Sequence, residues 1–180
     1  MGFDLYGVSP QITGTTPISP DMDAPEEAVT KYREENKIFE SNNPGVYFRN
    51  NVWWWRPLWD YVYEVCDSVL TEEDYHSGQS NEGHTIDENK CAKMALLLSV
   101  ELATYKTQEY TDIYRNTMDD MPKEKCDLCE GTGTRDGARK GECNGCNGNG
   151  LRKSWVTNYP FDVENVREFV AFLKECGGFQ

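Results

Sequence analysis

The segment VWWWRPLWDYVYEVCDSVL, residues 52–70, carries the clearest helical pattern of the chain. Its apolar residues recur at the spacing of one helix face, and its carboxylates fall on the opposite face. The apolar face comprises Leu58, Val62, Val65 and Val69. Because proline suits the first helical position, we predict that this helix begins at Pro57. The aromatic residues before it are expected to form a strand or a tightly packed turn.

Two further amphipathic helices are predicted on the C-terminal side of this segment. Residues 85–88 read TIDE, a capping box that should open one long helix over residues 89–117. Its apolar stripe comprises Cys91, Ala95, Leu98, Leu102 and Tyr105. Near the end of the chain, Asp162 is expected to cap a last helix, and Gly177 to end it in a left-handed conformation.

The flanking segments add a small β component. Residues 3–9 are expected to form a short strand, and the proline-rich residues 9–25 an extended surface segment. Asp23 with Glu26 resembles a capping box that opens a helix. Residues 71–84 are interpreted as a polar loop, and residues 154–160 as a strand. The predicted fold class is therefore mainly α (α+β), a small helical domain with a few short strands.

Composition sets limits on size, partners and compartment. The chain has 180 residues, 38% of them hydrophobic, which suits one domain with a small appended module. A net charge of −13 repels nucleic acid and anionic membranes, so direct nucleic-acid binding is not expected of the acidic core and no membrane partner is expected. The sequence opens without a secretory signal and has seven cysteines, an odd number, which favours a reducing, cytoplasmic setting.

A repeated cysteine motif stands apart from the helical pattern. Residues 126–150 read CDLCEGTGTRDGARKGECNGCNGNG, in which Cys-x-x-Cys-x-Gly-x-Gly occurs twice. Two such pairs form the tetrahedral four-sulfur set that zinc prefers, and the glycines let the backbone turn closely around the sulfurs. We therefore predict one zinc ion per chain. Its ligands are Cys126, Cys129, Cys143 and Cys146.

This stretch resembles the cysteine-rich domain of DnaJ-type co-chaperones, whose repeating unit is Cys-x-x-Cys-x-Gly-x-Gly. That family has four units and two zinc ions, whereas this chain has two units. The resemblance implies a pair of β-hairpin knuckles around one zinc ion. No His-Pro-Asp tripeptide occurs, so a J-domain is not expected. The segments MGFDLYG and YFRNNVWWWRPLW are similar to small uncharacterised proteins of bacteria and their phages.

These patterns predict two units. Residues 1–122 and 152–180 form a helical core domain, with 1–25 as an extended N-terminal segment, and residues 123–151 form an inserted zinc-binding module. Segment 121–155 carries seven basic and five acidic residues, so it is +2 and the remainder is −15. The module is predicted either to hold a loop in shape or to present basic side chains to a partner, with redox sensing as a further reading. Its basic side chains are Arg135, Arg139, Lys140, Arg152 and Lys153.

A second candidate site rests on residues WWWRPLW and on the two histidines. The aromatic cluster could stack a nucleotide base around Arg56, or it could be packing, with Arg56 paired to an internal carboxylate. The histidine loop could hold a second metal or an acid–base pair, or it could be solvated; its nearby carboxylates are Glu73, Asp74, Glu82 and Asp87. The candidate residues are Trp53, Trp54, Trp55, Arg56, Trp59, His76 and His84.

Two classes of function follow from these patterns. The first is a zinc-binding, non-enzymatic adaptor that acts through protein contacts, in which the zinc site is structural. The second is a small-ligand binder or enzyme that uses the Trp-rich segment and the histidine loop. A third reading is a phage-type inhibitor whose acidic surface mimics nucleic acid. Nucleic acid could be contacted directly only through the zinc module, and the setting is a bacterial cell or a phage-infected host.

Overall fold

The computed structural model describes residues 2–80, 82–136 and 140–180. Within them the chain is mainly helical with short antiparallel strands, which confirms the predicted fold class. The helices are α1 (Glu26–Asn42), α2 (Val52–Val65), α3 (Glu72–Gly78), α4 (Glu88–Ala103), α5 (Lys106–Asp120) and α6 (Val163–Glu175). The strands are β1 (Gly2–Tyr6), β2 (Tyr47–Asn51), β3 (Glu124–Lys125), β4 (Thr134–Arg135), β5 (Gly141–Glu142) and β6 (Leu151–Arg152).

The hydrophobic core lies between α2, α4, α6 and the sheet of β1 and β2. The two strands pair antiparallel, with Gly2 opposite Asn51 and Tyr6 opposite Tyr47. The apolar residues of α2, α4 and α6 are buried against one another and against the inward face of this sheet. The C-terminal residues close the structure, because the main chain of Phe179 pairs with that of Ile86.

Helix α2 begins five residues before the predicted start. Its cap is Asn51, whose side-chain oxygen accepts hydrogen bonds from the backbone N–H groups of Trp53 and Trp54. Pro57 is buried inside the helix. The predictions of a start at Pro57 and of a non-helical VWWW segment are therefore wrong, because an asparagine cap outweighed the usual position of proline.

The predicted single helix over residues 89–117 is two helices. Tyr105 between them has φ 63°, a left-handed conformation that redirects the chain, and its side chain is 75% exposed. The redirection puts Thr107 and Thr111 of α5 in the interior, and the Thr107 hydroxyl lies 2.9 Å from that of Tyr61. One straight helix would place these two threonines on a different face from the buried residues of α4. The α4 cap is Asp87, which accepts from the N–H of Lys90, so the predicted capping box of Thr85 and Glu88 does not open this helix.

Three other local predictions differ from the structure. Helix α1 follows Pro25 and has no side-chain cap, so the Asp23 capping box is absent. Residues Trp155–Asn158 form a 3-10 helix instead of a strand. The predicted loop 71–84 contains α3, which a capping box of Thr71 and Asp74 opens.

The last helix forms as predicted. Asp162 caps α6 by accepting a hydrogen bond from the N–H of Asn165. Gly177 has φ 60°, the left-handed conformation expected after the helix.

A buried carboxylate ties α3 to the following loop and to α4. The Asp74 side chain is 3% exposed and accepts hydrogen bonds from His84 Nε2 at 2.9 Å and Lys90 Nζ at 2.6 Å. It also accepts from the backbone N–H and hydroxyl of Thr71. Burial raises the pKa of Asp74, but these hydrogen bonds outweigh burial and hold its pKa well below the usual range.

We predict that Asp74→Ala lowers the free energy of unfolding by about 2–4 kcal/mol, because it removes the shared partner of Lys90 and His84. Chemical denaturation measures this loss, and Asp67→Ala, at an exposed position, serves as the control, with a change within about 0.5 kcal/mol.

Since the folded pKa of Asp74 lies below its unfolded value of about 3.9, the stabilisation is complete above that pH and decreases as pH falls below it. A stability difference between wild type and Asp74→Asn that grew on acidification would contradict this account.

Candidate metal centre

Four cysteines converge at one point of the module. The Sγ atoms of Cys126, Cys129, Cys143 and Cys146 all lie within 4.8 Å of one another, and all four side chains are buried. The Sγ atoms of Cys126 and Cys143 are 3.9 Å apart, and those of Cys129 and Cys146 are 3.7 Å apart. The four residues predicted from the repeat are therefore brought together, in a cluster that could hold a metal ion.

The two cysteine units are arranged with matching backbone contacts. The N–H of Cys126 donates to the carbonyl of Gly150, and the N–H of Cys143 donates to that of Gly133, both at 2.9 Å. The short strands also join the two units. Strand β3, before the first unit, pairs with β6, after the second, and β4, after the first unit, pairs with β5, before the second. Each unit therefore completes the turn of the other, and neither forms a closed site alone.

Glycine is required where the two units touch. A Cβ at Gly133 would lie 2.2 Å from the carbonyl oxygen of Gly148, and one at Gly150 would lie 2.3 Å from that of Gly131. Both Gly133 and Gly150 also have positive φ, which side chains disfavour. Their N–H groups donate to the sulfurs of Cys129 and Cys146, at 3.3 Å and 3.2 Å. These donors stabilise thiolates, the form that binds metal.

Two of the four thiols have shifted pKa values. Burial raises the pKa of Cys129, but hydrogen bonds from Gly133, Cys146 and Gly131 outweigh burial and lower it to about 7. The pKa of Cys146 is raised, by burial and by the neighbouring sulfurs. A thiolate at one cysteine thus disfavours deprotonation of the neighbouring thiol. A bound cation would remove this repulsion between negative charges.

Two of the five basic side chains assigned to the module form ion pairs within the chain. Arg152 pairs with Asp127 at 3.0 Å, and Lys153 pairs with Asp119 of α5 at 2.9 Å. The Arg152 guanidinium also lies over the Trp155 ring, with its carbon 5.9 Å from the ring centroid. Arg135 and Lys140 are half-buried and exposed, respectively, and Arg139 lies outside the described residues.

The structure divides the Trp-rich candidate residues between two sides of α2. Trp55 and Trp59 are buried, and their indole N–H groups donate to the carbonyls of Gly78 and Tyr75. Trp53 is 37% exposed and stacks on Trp155.

The remaining candidates do not complete a second site. Arg56 is exposed and donates to the Tyr159 hydroxyl at 3.2 Å, and the described residues include no ion pair for it. Trp54 is half-buried and lines a groove beside α5. His76 is exposed on α3, whereas His84 bonds Asp74, so the two histidines do not share a site.

The cavity that Trp55, Trp59 and His84 do share is too small for a nucleotide. It has a volume of about 70 Å³ and is also lined by Phe3 and Asp74. Ligand pockets usually measure about 300–1,000 Å³, whereas one water occupies about 30 Å³ of liquid. This cavity therefore suits a few water molecules beside the buried Asp74 carboxylate.

Sequence reasoning missed two features of these sites. Composition indicates a polar loop around Asp74 and the histidines, although Thr71 and Asp74 form a capping box that the sequence shows. The contact of Trp155 and Tyr159 with Trp53 joins residues about 100 positions apart, and no local pattern in the sequence indicates it.

The fold and the cysteine cluster define a mainly helical protein that carries a four-cysteine candidate metal site. No family model, curated protein or solved structure matches this chain significantly. In the described part of the chain, none of the helices combines the length and apolar character needed to cross a bilayer.

We predict that Gly133→Ala weakens metal binding by about 10- to 100-fold with all four cysteines present, because it displaces the N–H donor and the facing backbone of Gly148. Competition with a chromophoric chelator measures the affinity. Asn144→Ala, at an exposed position of the same module, is the control and should bind metal as wild type does. Equal affinities for Gly133→Ala and wild type would show that the close approach of the two units is not needed.

Proposed function

We propose that the cluster binds one zinc ion per chain. A tetrahedral zinc with Zn–S bonds of about 2.3 Å separates its sulfurs by about 3.8 Å. The two separations of 3.9 Å and 3.7 Å are close to that edge length. Four thiolates are also a set that favours zinc over the oxygen-binding cations. The module is, in this proposal, a two-unit relative of the DnaJ-type cysteine-rich domain.

The proposed role of this zinc is structural, and the protein acts as a non-enzymatic adaptor through protein contacts. The observation that carries this proposal is the closed ligand set. Catalytic zinc sites keep one position open for water or substrate, whereas four cysteine sulfurs fill a tetrahedral shell. Buried sulfurs also leave little access for a substrate. What remains accessible is the surface of the module and its junction with the core.

The proposed setting is the cytoplasm. A site of four thiolates requires reduced cysteines, and the described cysteines are free of disulfides. Metal ligation and not cross-linking would then stabilise the module. Because the apolar contacts of the module are few apart from its sulfurs, we expect it to depend on the ion for its fold.

We predict a zinc content of one ion per chain in protein purified under reducing conditions, measured by inductively coupled plasma mass spectrometry. Cys126→Ser and Cys143→Ser, one in each unit, should each lose most of this zinc, because three thiolates bind more weakly than four. Cys66→Ser, at a buried core cysteine, should retain it. Another metal at full occupancy, or a disulfide among the four module cysteines, would disprove the zinc proposal.

We predict that replacing residues 125–151 with a short Gly/Ser linker leaves the core folded. Glu124 and Arg152, which flank the replaced segment, are paired neighbours, so a short linker can join them. Circular dichroism and thermal melting should retain a cooperative helical transition. Loss of that transition would show that the core depends on the module.

The same linker variant tests for partners of the module. In cross-linking with cell extract, proteins that contact the module should be recovered with the full chain and lost with the linker variant.

A further inference from the structure

A groove lies in the helical core, between α2, the C-terminal half of α5 and the segment before α6. It has a volume of about 330 Å³, within the range of ligand pockets, and is open to solvent. Its aromatic lining comes from three parts of the chain: α2, α5 and the segment before α6. The aromatic residues are Trp54, Tyr114, Tyr159 and Phe161. Tyr114 is held in place, because its hydroxyl donates to the carbonyl of Tyr159 at 2.9 Å.

Carboxylates also line this groove. Asp119 belongs to the last turn of α5, and Asp162 is the cap of α6. Aromatic faces and carboxylates together are the environment that binds organic cations.

The same surface already holds cations of the chain itself. Lys153 pairs with Asp119, and Arg152 lies over Trp155, whose ring stacks on Trp53. Arg115 is also part of the groove lining, and it pairs weakly with Asp112 at 3.8 Å. An incoming cation would therefore compete with Lys153 and be repelled by Arg115. Removing a carboxylate of the groove should therefore weaken the binding of a cation, and removing Arg115 should tighten it.

We propose that this groove binds lysine or arginine side chains from a basic segment of a partner protein. The inference rests on the proposed function and names the class of partner. Three observations favour a polypeptide over a free cation. The exposed aromatic surface continues from Tyr159 to Trp53 and Trp155, beyond the groove. Trp155 is 58% exposed, and tryptophan and tyrosine are enriched at protein interfaces. The net charge of this chain, −13, complements a partner segment that carries several positive charges.

The test uses the full zinc-loaded chain and a short peptide in which Lys and Ala alternate. Titration calorimetry at low ionic strength measures affinity, and tryptophan fluorescence reports contact with the aromatic surface. A peptide with Glu in place of Lys tests the charge requirement. Tetramethylammonium and lysine amide test whether a single free cation is enough. We expect the Lys peptide to bind with a change in fluorescence, the Glu peptide not to bind, and the free cations to bind much more weakly.

Four variants test where the peptide binds. Asp162→Asn removes a charge but keeps a good helix cap, and it should weaken Lys-peptide binding about three- to tenfold. Trp54→Leu should weaken it by a similar factor, because a ring face is lost. Arg115→Gln removes a competing cation and should tighten binding about two- to fivefold. Asp67→Asn carries the same charge change as Asp162→Asn on an exposed site outside the groove lining and should have little effect.

Several results would overturn the proposal. They are absence of Lys-peptide binding, equal binding of the Glu peptide, and equal weakening by Asp67→Asn and Asp162→Asn. Free cations that bind as tightly as the peptide would also overturn it, since a small-molecule site would explain them. Melting curves confirm that each variant is folded before it is compared. Zinc content is measured on the same samples, so failure of the zinc proposal appears as missing metal and failure of this inference as missing peptide binding.

Discussion

The stacked indoles of Trp55 and Trp59 hold the core together. Their ring centroids are 5.3 Å apart, and each N–H group donates to a carbonyl in α3. Trp55 also stacks on Phe3 of β1 and meets Phe169 of α6 edge to face. Two side chains on one helix thus contact three other elements. Because α3 has seven residues and could not form a stable helix alone, it depends on these two bonds and on its capping box.

The close contact with α3 also explains a glycine. A Cβ at Gly78 would lie 2.2 Å from Trp59 Nε1, so the indole can pass the end of α3 only if residue 78 has no side chain. The small cavity beside the indoles, with Asp74 on its wall, follows from the same contact. The seven residues that the sequence groups as candidate ligand-binding residues, four tryptophans, one arginine and two histidines, therefore divide, since Trp55 and Trp59 are buried in the core.

Local patterns in the sequence predicted the parts of this structure that depend on local physics. The cysteine repeat identified all four sulfurs, because metal knuckles form from residues close in sequence. The Asp162 cap and the left-handed Gly177 were predicted for the same reason. The break at Tyr105 was not predicted, because it places Thr107 beside the hydroxyl of Tyr61, a residue 46 positions away. The stacking of Trp53 on Trp155 likewise depends on tertiary contacts that periodicity cannot show.

The segment that leaves the module connects the metal centre to the groove. Strand β6 ends at Arg152, whose guanidinium covers Trp155, and the next turn places Tyr159 in the groove. Asp162 then caps α6 three residues later. About ten residues of continuous backbone therefore separate the last strand of the cysteine units from the Asp162 carboxylate in the groove. In the proposed adaptor, a zinc ion would thus fix the shape of the module, whereas the groove lining belongs to the helical core and depends on its packing.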